Sequence, residues 1–447
     1  MAKPAKRKTY VPVTVPFGAS PARETPGIAE WAQRAVWTDS MLDALQRGVK
    51  GGKWHALIDK VYDPQNLFCS ARKVLGKKGA AGVDRQTVED FDEHSRQELR
   101  RLHTELRQGR YRPAAVRRVW IPKPGSSEKR PLGIPTVRDR VVQTALVHVI
   151  EPILDHEFHE QSYGFRHGRS CHQALRRVEE LLESGHVYVV DADLKSYFDT
   201  IPKDRLLDLV RQKISDSRVL ELIKQYLDQG ILEELRTWIP ETGVPQGAVL
   251  SPVLSNLYLN PLDHRMSALG YQMVRYADDF VVLCRTPEEA QAALSEIQAW
   301  VAEAGLTLHP SKTQIVDVRE KSFAFLGYSF RKQLRFPRAK SHQKIMDRIR
   351  ELTPRKSGKS LEEIIGEINR TLSGWFHYFR HCQWDIYGKY DSRLRQRLRR
   401  MLIKRNRRNT KRLPRSHRWP NEFFIAHGLY SLETAHAEFV QSQTGNY

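Results

Sequence analysis

Three aspartates stand out for the chemistry they could do: Asp193 in VVDADLKSYFD, and the adjacent pair Asp278 and Asp279 in YADDFVV. Carboxylates brought from separate strand ends in a basic chain are what a two-metal phosphoryl-transfer site needs. Hard oxygen ligands hold Mg²⁺ ions roughly 3.5 to 4 Å apart, where they stabilise attacking and leaving oxygens. Without cations, such carboxylates repel one another and any incoming phosphate. An Asp pair in a turn is also an ordinary turn former, so the pair alone leaves both readings open.

The elements around these residues follow from periodicity. The β-branched run Val187 to Val190 reads as a strand with Asp193 near its end, and helical spacing begins after Pro202. YQMVRYADDFVVLCR is apolar on both sides of Asp278 and Asp279, which predicts a strand pair with the carboxylates at its tip. Thr286 as N-cap, Pro287 and Glu289 predict a capped helix through Leu294, Ile297 and Val301, closed by Gly305. Ser251 and Pro252 are expected to cap a helix through Leu254 and Leu257. Leu99, Leu102 and Leu106 fall at helical spacing before Gly109. Val116, Val119 and Ile121 enter, and Leu132 and Ile134 leave, the turn segment KPGSSEKRP, a hairpin with a basic rim. Residues 1 to about 30 read as a loosely docked arm. Beyond about residue 336 the chain is helical and basic, and RLRQRLRRMLIKRNRRNTKR interleaves Leu394, Leu398 and Leu402 with cations. Such a run is either a solvated helix face or a cover for a phosphate backbone, and its one-sidedness favours the latter.

Composition narrows the partner. The chain has 447 residues, with 73 Lys and Arg against 52 Asp and Glu, a net charge of +21. That balance points to RNA, DNA or both, rather than to a merely solubilising surface. The length suggests about three domains. Cys69, Cys171, Cys284 and Cys382 form no CxxC pair, which argues against a zinc ribbon or disulfide framework and fits a reducing compartment. His377, His381 and Cys382 lack the second cysteine that a zinc site would want. No apolar run reaches a membrane span, and the basic start lacks the apolar core of a secretory signal; a cytoplasmic or nucleoid-associated protein is expected.

YADD together with VVDADLKSYFD resembles the palm of a reverse transcriptase. The wider pattern is similar to the group II intron reverse transcriptase and maturase family from roughly residue 60 onward. The blocks that carry the likeness, in the family's order, are GAAGVDRQTVEDF, VRRVWIPKPGSSEKRPLGIPTVRDRVVQ, SYGFRHGRSCHQAL, GVPQGAVLSPVLSNLYLN, YADDFVV, LTLHPSKTQ, FAFLGYSF and LSGWFHYFR. The resemblance implies an α+β right-hand polymerase of fingers, palm and thumb, with a ferredoxin-like palm sheet, a helical thumb/maturase region and a basic C-terminal region. The implied ranges are 1–55 for an N-terminal extension, 56–335 for fingers and palm, 336–405 for the thumb/maturase (X) domain and 406–447 for a basic DNA-binding region.

Carried over residue by residue, Asp193, Asp278 and Asp279 match the catalytic, metal-binding aspartates, implying two Mg²⁺ ions, with Mn²⁺ as a substitute. Phe198 matches the bulky residue set against the sugar's 2′ position; by residue type alone it is equally a core aromatic. Lys123 and Arg130 match cations that close on the triphosphate, although on a bare hairpin they would be solvated. Gln246 in GVPQG matches a residue beside template–primer and nucleotide, where composition alone gives an ordinary turn. Lys312 matches a palm lysine near the departing pyrophosphate, although by residue type alone it reads as a surface lysine after a helix. Leu372, Trp375, Phe376 and Phe379 resemble a thumb helix and read as core. Arg370, His377, Arg380, Arg399, Arg400, Lys404 and Arg405 are the candidate RNA contacts. His167 stands where the family commonly has proline.

The family's paired-cysteine nuclease module has no counterpart here, so DNA cleavage of that type is not expected. The implied activity is RNA-directed DNA synthesis, with the chain assisting intron splicing and mobility. Implied partners are group II intron RNA, an RNA template with DNA primer, dNTPs and target DNA, with no membrane. Two alternatives remain: an RNA-binding maturase with weak or no polymerase activity, and a domesticated enzyme used in host defence or repair.

Overall fold

The computed structural model describes residues 27–122, 129–233, 236–405 and 419–444. The arm 1–26, Lys123 and the basic segment 406–412 lie outside the described residues. What is described falls into two compact units: 27–177 with 188–315, and 178–187 with 316–444.

The first unit has a helical layer and two sheets. The helix Pro64–Leu75 starts where Asp63 accepts the Gln65 and Asn66 amides at 2.8 and 3.1 Å, and it packs on Val137–Asp155, a helix buried almost throughout. Residues 27–55 add to this core: Val36, Leu42 and Leu45 are buried, and fully buried Trp37 donates its indole N–H to the His148 carbonyl at 2.9 Å. The His148 ring lies in the same layer, with Nδ1 2.9 Å from Asn66 Oδ1. Burial first, then the charges of Lys73 and His167, bring its pKa down from 6.5 to about 4. The unfolded chain therefore binds a proton that the folded one refuses between pH 6.5 and 4, so stability is full above that window and falls as pH drops through it. The loss is on the order of 3 kcal/mol at most. Urea unfolding between pH 7 and 5 should show this slope, and a His148→Asn variant should flatten it.

Strands β1 (Val116–Pro122) and β2 (Lys129–Ile134) form the expected antiparallel hairpin, with Arg118 opposite Gly133 and Trp120 opposite Pro131. β3 (Tyr188–Asp193) follows in the chain, and then β4 (Ile231–Glu233) and β5 (Arg236–Trp238), which extend the first sheet to the order β2-β1-β4-β5. The second sheet has the order β6-β7-β3-β8, from β6 (Gln272–Tyr276), β7 (Asp279–Cys284), β3 and β8 (Gln314–Asp317). Its central strand, β7, is buried from Phe280 to Cys284, which explains an uninterrupted apolar run in place of alternation. The helix Pro287–Glu303 packs on β3 and β7, and Ser251–Ala268 on β6.

Local signals set the ends of these helices. Thr286 Oγ1 accepts the Glu289 amide at 3.1 Å, and Gly305 at φ +70° ends the run. Glu289 reaches one residue further back than a capping box requires, to the Arg285 amide at 2.8 Å. Ser251 is the first helical residue rather than a cap, and its hydroxyl donates to the Pro245 carbonyl at 2.7 Å. The free amides before it, Val249 and Leu250, go instead to Gln143 Oε1 at 2.8 and 3.2 Å, a partner remote in sequence.

In the second unit β9 (Phe323–Phe325), β10 (Tyr328–Arg331) and β11 (Leu334–Pro337) form an antiparallel sheet around stacked Phe323 and Phe330. Leu372, Phe376 and Phe379 are buried, and Trp375 packs 4.9 Å from Phe379 and from Tyr390, so this aromatic face is core. Leu394, Leu398 and Leu402 seat the basic helix Asp385–Arg405. Buried Asp391 caps the helix Leu432–Thr444, accepting the Leu432 and Glu433 amides at 3.1 and 3.2 Å.

The sequence ranges divide the chain at 335/336, whereas β9 to β11 and residues 178–187 group with the C-terminal helices. Long-range bonds account for this grouping. Buried Arg335 ion-pairs with Glu179, its carbonyl accepts the Gln383 amide at 2.8 Å, and the Tyr378 hydroxyl donates to the Leu326 carbonyl at 2.7 Å. No described helix is long and apolar enough to cross a membrane.

Candidate active site

Asp193 is the last residue of β3, and register places it opposite Asp279, the first residue of β7. Tyr276 also pairs with Asp279, so Ala277 and Asp278 form a two-residue turn at the hairpin tip. Asp193 and Asp279, 86 apart in sequence, thereby share one strand end. Ala277 has φ +60°, a conformation usually left to glycine in such turns and costing roughly 1 kcal/mol for an L side chain.

Two remote segments, the helix Ser251–Ala268 and the Tyr163–Gly164 loop, hold that turn, the first through Arg275. The guanidinium of Arg275, fully buried, donates to the Ala277 carbonyl at 2.9 Å, to Asn256 Oδ1 at 3.0 Å and to the Asp263 carboxylate at 2.5 to 3.0 Å. Asn256 in turn donates to the Gly164 carbonyl at 2.7 Å. Gly164 lies so close that a Cβ would stand 2.2 Å from the Ala277 nitrogen, which explains glycine in SYGFR. The Tyr163 amide donates to the Arg275 carbonyl at 2.9 Å, completing the buttress. Sequence reasoning missed Arg275, Asp263, Asn256 and Gly164. Their one signal is a charged residue inside an apolar strand, matched by an Asp on a helix.

The electrostatics are those of an anionic cluster. Burial and then the charge of Asp193 push the Asp278 carboxyl up, against the pull of Arg275. Asp191, two residues before Asp193 and so on the same strand face, is pushed up in the same way, opposed by a hydrogen bond with Gln314. Sequence reasoning misses Asp191 too, although strand alternation puts it on the face of Asp193. Lys312 brings its ammonium 2.5 Å from Asp193 Oδ2, both groups partly exposed. Among the described residues no three His, Cys, Asp or Glu side chains converge as a ready-made metal cage. Two mutually repelling hard carboxylates, one already attracting an ammonium, are nonetheless a donor set that suits divalent cations.

After Asp193 the chain turns through Ser196 at φ +51° into the short helix Tyr197–Thr200. Tyr197 is buried, its hydroxyl donating to the Ser255 carbonyl at 2.7 Å, and it packs edge-on to half-buried Phe198. The GVPQG loop docks on this helix: the Val244 amide donates to the Phe198 carbonyl at 2.7 Å, and a Cβ on Gly243 would meet the Asp199 backbone at 2.9 Å. Gln246 donates to Asp199 Oδ2 at 3.3 Å, and its carbonyl accepts the Gly133 amide of β2 at 2.7 Å. A cleft of about 290 Å³ opens here between Arg118, Gly133, Asp199 and Gln246. Burial pushes the Asp199 carboxyl up, against the charge of Arg118 and the bond from Gln246.

Arg130 is exposed on β2, and Lys123 lies outside the described residues. His167 stacks on Trp31 at 4.3 Å with Nε2 3.5 Å from Glu151, which gives the non-proline residue a packing role. In the second unit Arg370, His377, Arg400 and Arg405 are exposed and Lys404 is half-buried. Arg380 lies over the Phe439 ring, and Arg399 donates to the Trp419 carbonyl and Asn421 Oδ1, both at 2.8 Å.

Comparison with known proteins gives the family. Residues 121–330 match the model of the reverse transcriptase (RNA-dependent DNA polymerase) family, and residues 342–419 that of the group II intron maturase-specific domain. Protein YkfC of Escherichia coli is 35% identical over 63% of this chain and 84% of its own. The group II intron-encoded protein LtrA of Lactococcus lactis is 36% identical over half of this chain, but the match spans only 37% of LtrA. A solved chain of a partial Cas6-RT-Cas1–Cas2 complex matches 56% of this chain and 42% of its own, at 24% identity and TM-score 0.36. With both domain models matched in order and a relative aligned over most of its length, the chain belongs to the group II intron reverse transcriptase and maturase family.

Proposed function

We propose that the chain is an active RNA-directed DNA polymerase that extends a DNA primer on an RNA template. The observation that carries this reading is the pairing of Asp193 with the Asp278–Asp279 tip across one strand end, with Lys312 on the same carboxylate. Residues 56–335 would be fingers and palm, 336–405 the thumb/maturase domain and 406–447 a basic DNA-binding region. Asp193, Asp278 and Asp279 would hold two Mg²⁺ ions, or Mn²⁺ in their place. Bound there, such ions supply charge stabilisation for the attacking and leaving oxygens of nucleotidyl transfer. Lys312 would surrender Asp193 to a cation and turn its ammonium to the departing pyrophosphate. Gln246, fixed through Asp199 and Gly133, would position the nucleotide beside the template, and Arg130 with Lys123 would meet the triphosphate from the hairpin.

Phe198 would stand against the sugar's 2′ position, its ring set by buried Tyr197 behind it. Phe198→Val is expected to raise ribonucleotide incorporation relative to deoxynucleotide by roughly 10- to 100-fold, because a van der Waals barrier of this size is what discriminates one added hydroxyl. Competing rNTP and dNTP incorporation measures it, and an unchanged ratio would return Phe198 to the core. The reading as a whole is tested by dTTP incorporation on poly(rA)/oligo(dT) with Mg²⁺, where the chain should extend the primer.

A second role is supported by a separate observation, the match of residues 342–419 to the maturase-specific domain. There the chain would bind group II intron RNA and assist splicing and mobility at a target DNA, through Arg370, His377, Arg380, Arg399, Arg400, Lys404 and Arg405. Polymerase-independent splicing of the parent intron at moderate salt measures this.

A further inference from the structure

The first sheet carries an aromatic and cationic face that the catalytic assignment leaves unused. Val116, Arg118 and Trp120 alternate onto one side of β1, and register brings Ile231 of β4 and Trp238 of β5 into the row of Val116. The Arg118 guanidinium lies between two indoles, 4.8 Å from the Trp238 ring and 5.6 Å from that of Trp120. Glu233 fixes the stack: it pairs with Arg118 at 3.8 Å, and one of its oxygens accepts the Trp120 indole N–H at 2.5 Å. The indoles nevertheless stay open, Trp120 at 44% and Trp238 at 37% exposure, with Ile239 next to them at 63%.

Large aromatics held in place yet left uncovered are costly unless something covers them. Across the hairpin, Arg118 and Trp120 face Gly133 and Pro131, which raise no bulky side chain beside the stack. Arg118 also lines the cleft with Asp199 and Gln246, so the face borders that cleft. Rigid aromatic planes interleaved with a guanidinium, leading to such a cleft in a chain of net charge +21, match the chemistry that grips unpaired bases: each base offers a π face and each linkage a negative charge. Duplex bases, already stacked on one another, have no free face to offer.

We propose that Trp120, Arg118 and Trp238 form a stacking platform for the unpaired RNA template strand as it approaches the cleft. This rests on the polymerase reading for the identity of the strand, but its test does not depend on synthesis. Two RNA/DNA primer–template duplexes of one sequence are compared by equilibrium binding to the full chain, one blunt and one with an unpaired 5′ RNA extension. The wild type is expected to bind the extended duplex more tightly. Trp120→Ala with Trp238→Ala should lose that preference, a drop of roughly 10- to 100-fold for the extended duplex, while affinity for the blunt one holds. Phe at both positions should restore most of it, since a ring remains. The platform is overturned if the double Ala variant keeps the full preference, or if both duplexes weaken equally. Preference for the extension without any dTTP incorporation would sink the polymerase reading and leave the platform; incorporation without preference would do the reverse.

Discussion

Asp278→Asn is expected to reduce dTTP incorporation on poly(rA)/oligo(dT) by a factor on the order of 10³ or more, with thermal stability equal to or slightly above wild type. The substitution keeps shape and removes charge. Asp278 is half-buried beside Asp193, and both burial and that neighbour already disfavour its ionised form, so neutralising it relieves repulsion in the folded chain. What it removes is a hard anionic ligand at the hairpin tip, which an amide oxygen replaces poorly. Loss of synthesis with an unchanged melting temperature therefore distinguishes a metal-binding role from a turn-forming one. A variant that extends primers at the wild-type rate would sink the assignment. The same protein should still promote intron splicing, because that role is proposed for the second unit and needs no palm carboxylate.

Arg275→Leu should be the most damaging single change in the palm, costing about 3 to 5 kcal/mol of folding free energy. Asp263 is 3% exposed and would be left as a buried carboxylate without its cation. The Ala277 carbonyl and Asn256 Oδ1 would lose a donor as well. Urea unfolding measures the loss, and a second substitution separates its parts. Asp263→Leu in the Arg275→Leu background removes the stranded charge and should recover much of the stability. It cannot return the hydrogen bond that holds Ala277 at positive φ, so incorporation should stay low. Wild-type stability in the single variant, or wild-type synthesis in the double one, would show that Arg275 does not set the turn.

Much of this arrangement is legible along the chain. The strand ending at Asp193, the hairpin tip at Asp278 and Asp279, the Thr286 cap and the Gly305 stop all follow from patterns within a few residues. Alternation, apolar runs, capping oxygens and positive-φ glycines act over one turn or one hairpin, and a sequence displays them directly. Where the local rule failed, a remote partner had taken over. Ser251 does not cap its helix because it is itself the first helical residue and its hydroxyl donates back to the Pro245 carbonyl, while Gln143, remote in sequence, holds the Val249 and Leu250 amides before it. Trp375, by contrast, reads as core from its helical spacing, and Phe379 and Tyr390 pack against it.

The sequence by itself determined that this is a basic α+β chain of the group II intron reverse transcriptase and maturase family, with its acidic residues at strand ends. Only the tertiary structure decided that Asp193 meets Asp278, that Lys312 reaches Asp193, and that Arg275, Asp263, Asn256 and Gly164 together hold one strained turn. The same is true of Trp120 and Trp238, which become a pair only when β1, β4 and β5 fall into register. The reason is physical. Secondary structure is selected by sterics and burial acting along neighbouring residues, whereas a charge or an indole buried against a segment a hundred residues away is selected by the desolvation it would otherwise suffer, and that cost exists only once the chain has closed around it.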